Sequence, residues 1–446
     1  MFDRLVDEAA ADRALARLKA DGVVRGAIVA WLGPNSWDMI ADLVACERLG
    51  AVLLPLNGRL ALPELAQIAR HAGAGHLVAA PEVRQPAEAL RAALDWRPGP
   101  AAGVEAGDLL LVYTSGTTGQ PKGAMHTRAG MLANAAAAIA TQGLDAATRT
   151  LAILPLFHVG GLCIQTLPTL AAGGRVKLPP RFEPGAWFDE VEQWRPTTSL
   201  LVPAVMRALI GHPRWAGADL SSLAFVSAGS QIVPRPLIDA FHARGIPVAQ
   251  VYGCTESGPV SIVLGPQDAV AHAGMAGTPA PGVRVRLAAD GEVLLQGPNL
   301  MRGYHRSAET GFDAEGWFHS GDLARCHENG LYELVGRSKE LIISGGENIH
   351  PAEIENLVAE RPEVAECAVV GLPDARWGEV PVLAVVARPG AALDAAALLA
   401  SLEGRIARFK QPQRVVELEA FPKTALGKVQ RAELVLVLSE RKPPQA

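Results

Sequence analysis

Aromatic residues make up only 5% of the 446-residue chain, and no apolar stretch approaches about 18 uninterrupted residues. No membrane-crossing helix is therefore expected. The five cysteines (Cys46, Cys163, Cys254, Cys326, Cys367) are scattered, with no Cys-x-x-Cys pair. That argues against a disulfide framework or a thiolate zinc site and suggests reduced thiols in a cytosolic protein. A basic excess is missing too: the formal net charge is -5. Nothing in this balance points to nucleic acid or an anionic membrane as partner. The N-terminus carries acidic residues early and has no long apolar segment, so no signal peptide and a cytoplasmic location are expected. Internal repeats are absent, as are low-complexity tracts beyond Ala-rich surfaces.

With 49% hydrophobic and 20% charged residues, the composition is that of a soluble globular protein, and the length calls for two or three domains. Residues 3–20 have helical spacing. Gly26-Ala27-Ile28-Val29-Ala30-Trp31-Leu32 reads as a buried strand, and Ser36 is placed to cap a helix through about Leu49. A strand follows at 51–56. This strand–helix–strand rhythm predicts an α/β fold with a parallel sheet flanked by helices. Further helices are expected near 128–141, 160–172, 184–194, 203–211 and 234–244. Strands are expected at 150–154, 175–178, 198–202, 223–227 and 247–251. Val283–Leu287 and Glu292–Gln296 flank Asp290-Gly291 as a hairpin, within a small β-rich subdomain of about 260–336. From about 340 the texture is that of a small α+β domain. It has strands at 340–343, 364–370 and 380–387 and helices at 351–360, 394–407 and 431–439.

The densest chemistry lies in Tyr113-Thr114-Ser115-Gly116-Thr117-Thr118-Gly119-Gln120-Pro121-Lys122-Gly123, after the apolar run Leu109–Tyr113. A strand that runs into a loop of glycines, hydroxyls and a lysine suits a polyphosphate. Glycines let backbone N–H groups approach the oxyanions, hydroxyls donate, and the lysine adds charge. The loop is not a Walker A sequence, because Gly116 is followed too soon by Gly119 and no hydroxyl follows Lys122. An ordinary solvated Gly/Ser turn is the competing reading.

This stretch closely resembles the phosphate loop of the adenylate-forming superfamily of acyl-CoA synthetases, adenylation domains and luciferases. The likeness covers most of the chain, from near Gly26 to Arg431. Gln250-Val251-Tyr252-Gly253-Cys254-Thr255-Glu256-Ser257 carries the family's Tyr-Gly-x-Thr-Glu spacing. Tyr252 can stack on adenine, Thr255 can donate to a phosphoryl oxygen, and Glu256 can ligate Mg2+. In Val226-Ser227-Ala228-Gly229-Ser230-Gln231 the local sequence fits a plain turn equally well. The resemblance places Gly229, Ser230 and Gln231 at the adenine and acyl pockets. In Gly316–Leu323 a lone Asp could simply cap a turn; the resemblance makes Asp322 the ribose ligand. Arg337 is a natural partner for ribose and phosphate oxygens.

Further roles come from the resemblance alone. His158, Val159 and Gly160, in Leu156-Phe157-His158-Val159-Gly160-Gly161, would line the acyl pocket with Cys254, although a lone His after an aromatic is often only packed. Lys339 would be a hinge, or a solvated surface lysine. Gly345 and Gly346 would flank the thiol tunnel. Lys428, in Pro422-Lys423-Thr424-Ala425-Leu426-Gly427-Lys428, would be catalytic. The implied domains are an AMP-binding unit, 1–338, and a mobile C-terminal unit, 339–446.

The implied reaction joins a carboxylic acid to the α-phosphorus of ATP with loss of pyrophosphate, then passes the acyl group to coenzyme A. ATP binding would fall to Thr114, Ser115, Gly116, Thr117, Thr118, Gly119, Lys122, Gly229–Gln231, Tyr252, Gly253, Thr255, Asp322, Arg337 and Lys428. Lys428, Thr255 and Glu256 would be catalytic, with Mg2+ on Glu256. Small or apolar pocket candidates favour a fatty or aromatic acid; o-succinylbenzoate is an alternative. So are loading of a carrier protein and a non-catalytic nucleotide-binding module. The family's N-terminal strand pair reads as shortened, which would leave sheet surface open to a second copy, a homodimer, or leave a loosened N-terminal lobe.

Overall fold

The computed structural model describes residues 5–114, 121–344, 347–374, 376–424 and 427–441. Strands Ile28–Leu32 and Val52–Leu56 are buried at every position. This is why they read as continuous apolar runs and not as alternating ones. The helix between them, Trp37–Leu49, starts where the Ser36 hydroxyl accepts the Asp38 N–H at 2.9 Å and stops at Gly50, with φ +68°. These strands lie in a six-stranded sheet of order Gly303–Tyr304, Lys122–Thr127, Asp108–Thr114, Val52–Leu56, Ile28–Leu32, His76–Ala79. Asp108–Thr114 runs parallel to Val52–Leu56 and antiparallel to Lys122–Thr127, with Thr114 opposite Lys122. Helices Glu8–Ala20 and Trp37–Leu49 pack together, and Arg17 pairs with the fully buried Asp42 across the seam.

The second sheet has seven strands. Arg175–Lys177, Arg149–Leu151, Thr198–Leu201, Val226–Gly229 and Val248–Tyr252 run parallel, and Ile262–Leu264 and Thr278–Pro279 follow antiparallel. Trp187, Phe188 and Phe241 fill the core on its flank.

The helix expected over 160–172 is instead a π-helical segment, Gly160–Thr166, followed by the α-helix Leu167–Ala171. Leu167 N–H reaches back to Leu162 O, and Pro168 has no N–H to offer. The carbonyls left over find side chains: Asn134 Nδ2 donates to Cys163 O at 2.8 Å and Gln142 Nε2 to Ile164 O at 3.1 Å. Both donors sit on the helix Arg128–Gln142.

The expected β-rich subdomain shares its strands out. Arg284–Leu287, Glu292–Gln296, Phe318–Cys326 and Tyr332–Arg337 make a separate antiparallel sheet. Ile262–Leu264 and Thr278–Pro279 stay in the second sheet, and Gly303–Tyr304 pairs with Lys122–Thr127 of the first.

In the C-terminal region, Gly378–Ala387 pairs along its length with Val364–Asp374, and Arg414–Glu417 lies parallel on its other side. Apolar clusters around Ile354 and Leu383 and around Phe421 and Leu434 flank this sheet. The strand expected at 340–343 begins later: Ser338–Glu340 is a 3-10 turn and the strand is Ile342–Ser344. The helix expected over 394–407 covers only Ala395–Ala400, capped by Asp394, before the chain turns toward Gly404 at φ +73°.

Candidate functional site

A cavity of about 630 Å³ opens between the large N-terminal region and the C-terminal region. Gly229, Ser230, Gln231, Tyr252 and Gly253 reach it from the carboxyl ends of two neighbouring parallel strands. That is the usual crevice for ligands of open α/β sheets. Asp322 and Arg337 enter from directly opposed positions on two antiparallel strands, and Lys428 enters from the C-terminal region.

Both oxygens of Asp322 are engaged. Arg337 Nε donates to one at 2.7 Å, and the Tyr252 hydroxyl donates to the other at 3.1 Å. Burial pushes the Asp322 carboxyl above its ordinary pKa, opposed by the charges of Arg337 and Lys428 and by the Tyr252 hydrogen bond. Burial and the nearby Arg337 cation push the Lys428 ammonium below the ordinary lysine pKa, while Glu340 and Asp322 pull the other way. Tyr252 is raised by burial and by Asp322, so its hydroxyl stays a donor.

Backbone shape explains the small residues. A Cβ at Gly229 would stand 2.4 Å from Val251 O, and one at Gly253 would stand 2.5 Å from Pro259 O. Ser230 sits at φ +68°, a left-handed conformation that costs on the order of 1 kcal/mol outside glycine.

The remaining described candidates form a second group. Thr114 Oγ1 donates to Lys122 O at 3.5 Å, and Lys122 Nζ pairs with Glu309 at 2.7 Å. Glu256 accepts the Tyr304 hydroxyl at 2.9 Å, and its carbonyl accepts Met301 N–H at 2.8 Å. The neighbouring Thr255 is half-buried, and its backbone bonds the His126 ring. Ser115, Gly116, Thr117, Thr118, Gly119, Gly345 and Gly346 lie outside the described residues.

His158 lies against Phe157, ring centroids 4.5 Å apart. Burial and the Arg59 charge lower its pKa to about 4, so it is neutral at physiological pH. A Cβ on Gly160 would lie 3.7 Å from the Ser230 hydroxyl, which joins the His158–Gly160 turn to the cavity wall. Val159 lines a separate small cavity of about 10 Å³ with His126 and Asn299. The Cys254 thiol is raised by burial and the nearby Glu256. Lys339 is exposed, in the 3-10 turn Ser338–Glu340 that links the two regions.

Sequence reasoning missed Tyr304, Glu340 and Arg431. Arg431 pairs through Nε with Glu340 at 2.9 Å and holds Glu355 at 2.7 and 3.0 Å. It opens the helix Arg431–Glu440, where a cation opposes the helix dipole. That misplaced charge, three residues after Lys428, was a readable signal. A second fixture is Gly427 at φ +75°, where a Cβ would stand 2.9 Å from Ala204 of the large region.

The chain is similar to known proteins along most of its length. Residues 8–305 match the model of the AMP-binding enzyme family, and 353–428 match the AMP-binding enzyme C-terminal domain. An indoleacetate–CoA ligase of Aromatoleum aromaticum is 44% identical, over 95% of this chain and 90% of its own. A feruloyl-CoA synthase of an Amycolatopsis species is 41% identical, over 94% of this chain and 90% of its own. The ATP-bound structure of MatB from Rhodopseudomonas palustris is 29% identical, with a TM-score of 0.87 over 97% of this chain and 92% of that one.

Proposed function

We propose a division of labour for this chain, which belongs to the AMP-binding enzyme family. It is an ATP-dependent, AMP-forming carboxylate–CoA ligase, with ATP, Mg2+ and coenzyme A as its co-reactants. One oxygen of the acid attacks the α-phosphorus of ATP, and the bond to pyrophosphate breaks. The sulfur of CoA then attacks the acyl carbon, and AMP leaves.

In the first step two anions must meet, so catalysis rests on positioning and on cancelling charge. Asp322, held from both sides by Arg337 and Tyr252, is the ribose anchor. The Gly229 and Tyr252 walls take the adenine. Lys428 sets its ammonium against the phosphates, with Thr114, Lys122 and Thr255 on the other side. Among the described residues no cluster of three or more His, Cys, Asp or Glu could hold a metal alone. A single carboxylate, Glu256, fits an ion whose other ligands are substrate oxygens. Bound there, Mg2+ would offset the phosphate charge.

The observation that carries this reading is Lys428 lying within electrostatic reach of Asp322 and Arg337 although it comes from a separate sheet's domain. The domain boundary is read as 338/339, and the C-terminal domain is read to rotate at Lys339 between steps, withdrawing Lys428 and presenting Gly345 and Gly346. The acid is read as aromatic. The named substrates of the 44% and 41% identical relatives support this, as does the small wall residue Gly229. Five unpaired cysteines support a cytoplasmic setting.

Pyrophosphate exchange over indoleacetate, ferulate, o-succinylbenzoate and fatty acids, with and without CoA, tests the reading. The expected result is AMP formation, strongest with an aryl acid, and a CoA thioester as product. Formation of ADP would overturn the chemistry. Exchange without any CoA thioester would point to a carrier protein as acceptor.

A further inference from the structure

We propose that Tyr304 is a positioning residue of the adenylation step, its hydroxyl fixing the Glu256 carboxylate and its ring seating the Lys122 ammonium. The inference rests on the reading of Glu256 and Lys122 as the groups that meet the metal-bound triphosphate. Tyr304 touches both. Its hydroxyl donates to Glu256 Oε1 at 2.9 Å, and Lys122 Nζ lies 5.2 Å from its ring centroid. An ammonium at that distance over an aromatic face is attracted without being neutralised.

The segment that carries Tyr304 is bolted down on every side. Gly303 and Tyr304 pair with Met125 and Ala124 of the strand that begins at Lys122. Arg302 N–H and His305 N–H donate to Met125 O at 2.8 Å and Gly123 O at 2.7 Å. Met301 N–H donates to the carbonyl of Glu256 itself at 2.8 Å. The Arg302 guanidinium holds the buried Asp108 through two bonds of 2.9 Å, and His305 Nε2 lies 3.0 Å from Ala72 O. The ring therefore stands on a rigid edge that also holds the two residues it serves.

A phenol keeps its proton at neutral pH, so the Tyr304 hydroxyl is the donor of this bond. With one oxygen taken, Glu256 offers the other in a fixed plane. Glu309, which pairs with Lys122 at 2.7 Å, has a side chain 63% exposed. Such a pair is weak, so Lys122 can leave it for a phosphate while keeping the ring beneath it.

Tyr304→Phe keeps the ring and removes one O–H. The readouts are the Mg2+ concentration for half-maximal pyrophosphate exchange, binding of a non-hydrolysable ATP analogue with and without Mg2+, the Tm, and thioester formation from supplied acyl adenylate. Y304F is expected to raise the Mg2+ requirement about tenfold and to weaken analogue binding only when Mg2+ is present. The Tm and the thioester step should hold. In an E256Q background the same change should add little, because Tyr304 acts through Glu256. Y304L, which also removes the ring, should weaken analogue binding without Mg2+ as well.

An unchanged Mg2+ requirement in Y304F, while E256Q shifts it, overturns the positioning role and leaves the Glu256 assignment standing. An unchanged requirement in E256Q itself overturns that assignment, and the Tyr304 role with it. Full additivity of the two substitutions would also refute the proposal.

Discussion

Lys428 and Asp322 are drawn together from opposite sides of the cavity, and each perturbs the other. Lys428→Ala should lower adenylation by about 100- to 1000-fold, the scale of one lost charge-stabilising donor. It should spare thioester formation from supplied acyl adenylate, which needs no partner for the leaving pyrophosphate. Equal loss in both half-reactions would contradict the assignment. Because the Lys428 pKa is lowered in the free enzyme, kcat/KM for adenylation should fall on the alkaline side below the pH of an ordinary lysine. The pH profile of pyrophosphate exchange would show it. Asp322 and Lys428 were singled out by the resemblance to the adenylate-forming superfamily, and the structure brings both to one cavity. Tyr304 was not, because its partners are 48 and 182 residues away in the chain and only the sheet edge brings them together. Glu340 was hidden beside Lys339, where neighbouring charges look alike in sequence until Arg431 is seen to choose one.

Periodicity located most helices and strands of the large region, since fully buried parallel strands give dense apolar runs. It failed where side chains outside the element decide its shape. The π-helical turn at 160–166 exists because Asn134 and Gln142 on another helix take up the carbonyls that Pro168 and the widened winding leave over. Asn134→Leu should cost about 1–3 kcal/mol by orphaning Cys163 O, and urea unfolding would measure it. The seam of the first two helices carries a different liability. Burial raises the Asp42 pKa to about 6 from 3.8, against the pull of Arg17. The folded state then holds this proton more tightly than the unfolded chain does. Stability should therefore fall as pH rises from about 4 to about 6, by roughly 3 kcal/mol at 1.36 per pH unit. Asp42→Asn should flatten that slope and raise the Tm at pH 7.5, as thermal melts across this range would record.

At the scale of the whole molecule, residues of both regions line one cavity, and the sequence shows only that Lys428 and the 114–122 segment lie far apart in the chain. How the two regions meet depends on small contacts with no periodic signature, such as Gly427 against Ala204. Gly427→Val adds a clash with Ala204 and strain at φ +75°. Adenylation should fall at least tenfold while the thioester step from supplied adenylate is kept; loss of both would mean that the substitution acts elsewhere.

A cavity walled by two separate cores also has a calorimetric signature. Alone, each core can melt at its own temperature, and a scan of the bare enzyme should resolve two endotherms. A nucleotide that grips both walls binds only while both stand, so saturating it should fuse the endotherms into a single, sharper peak.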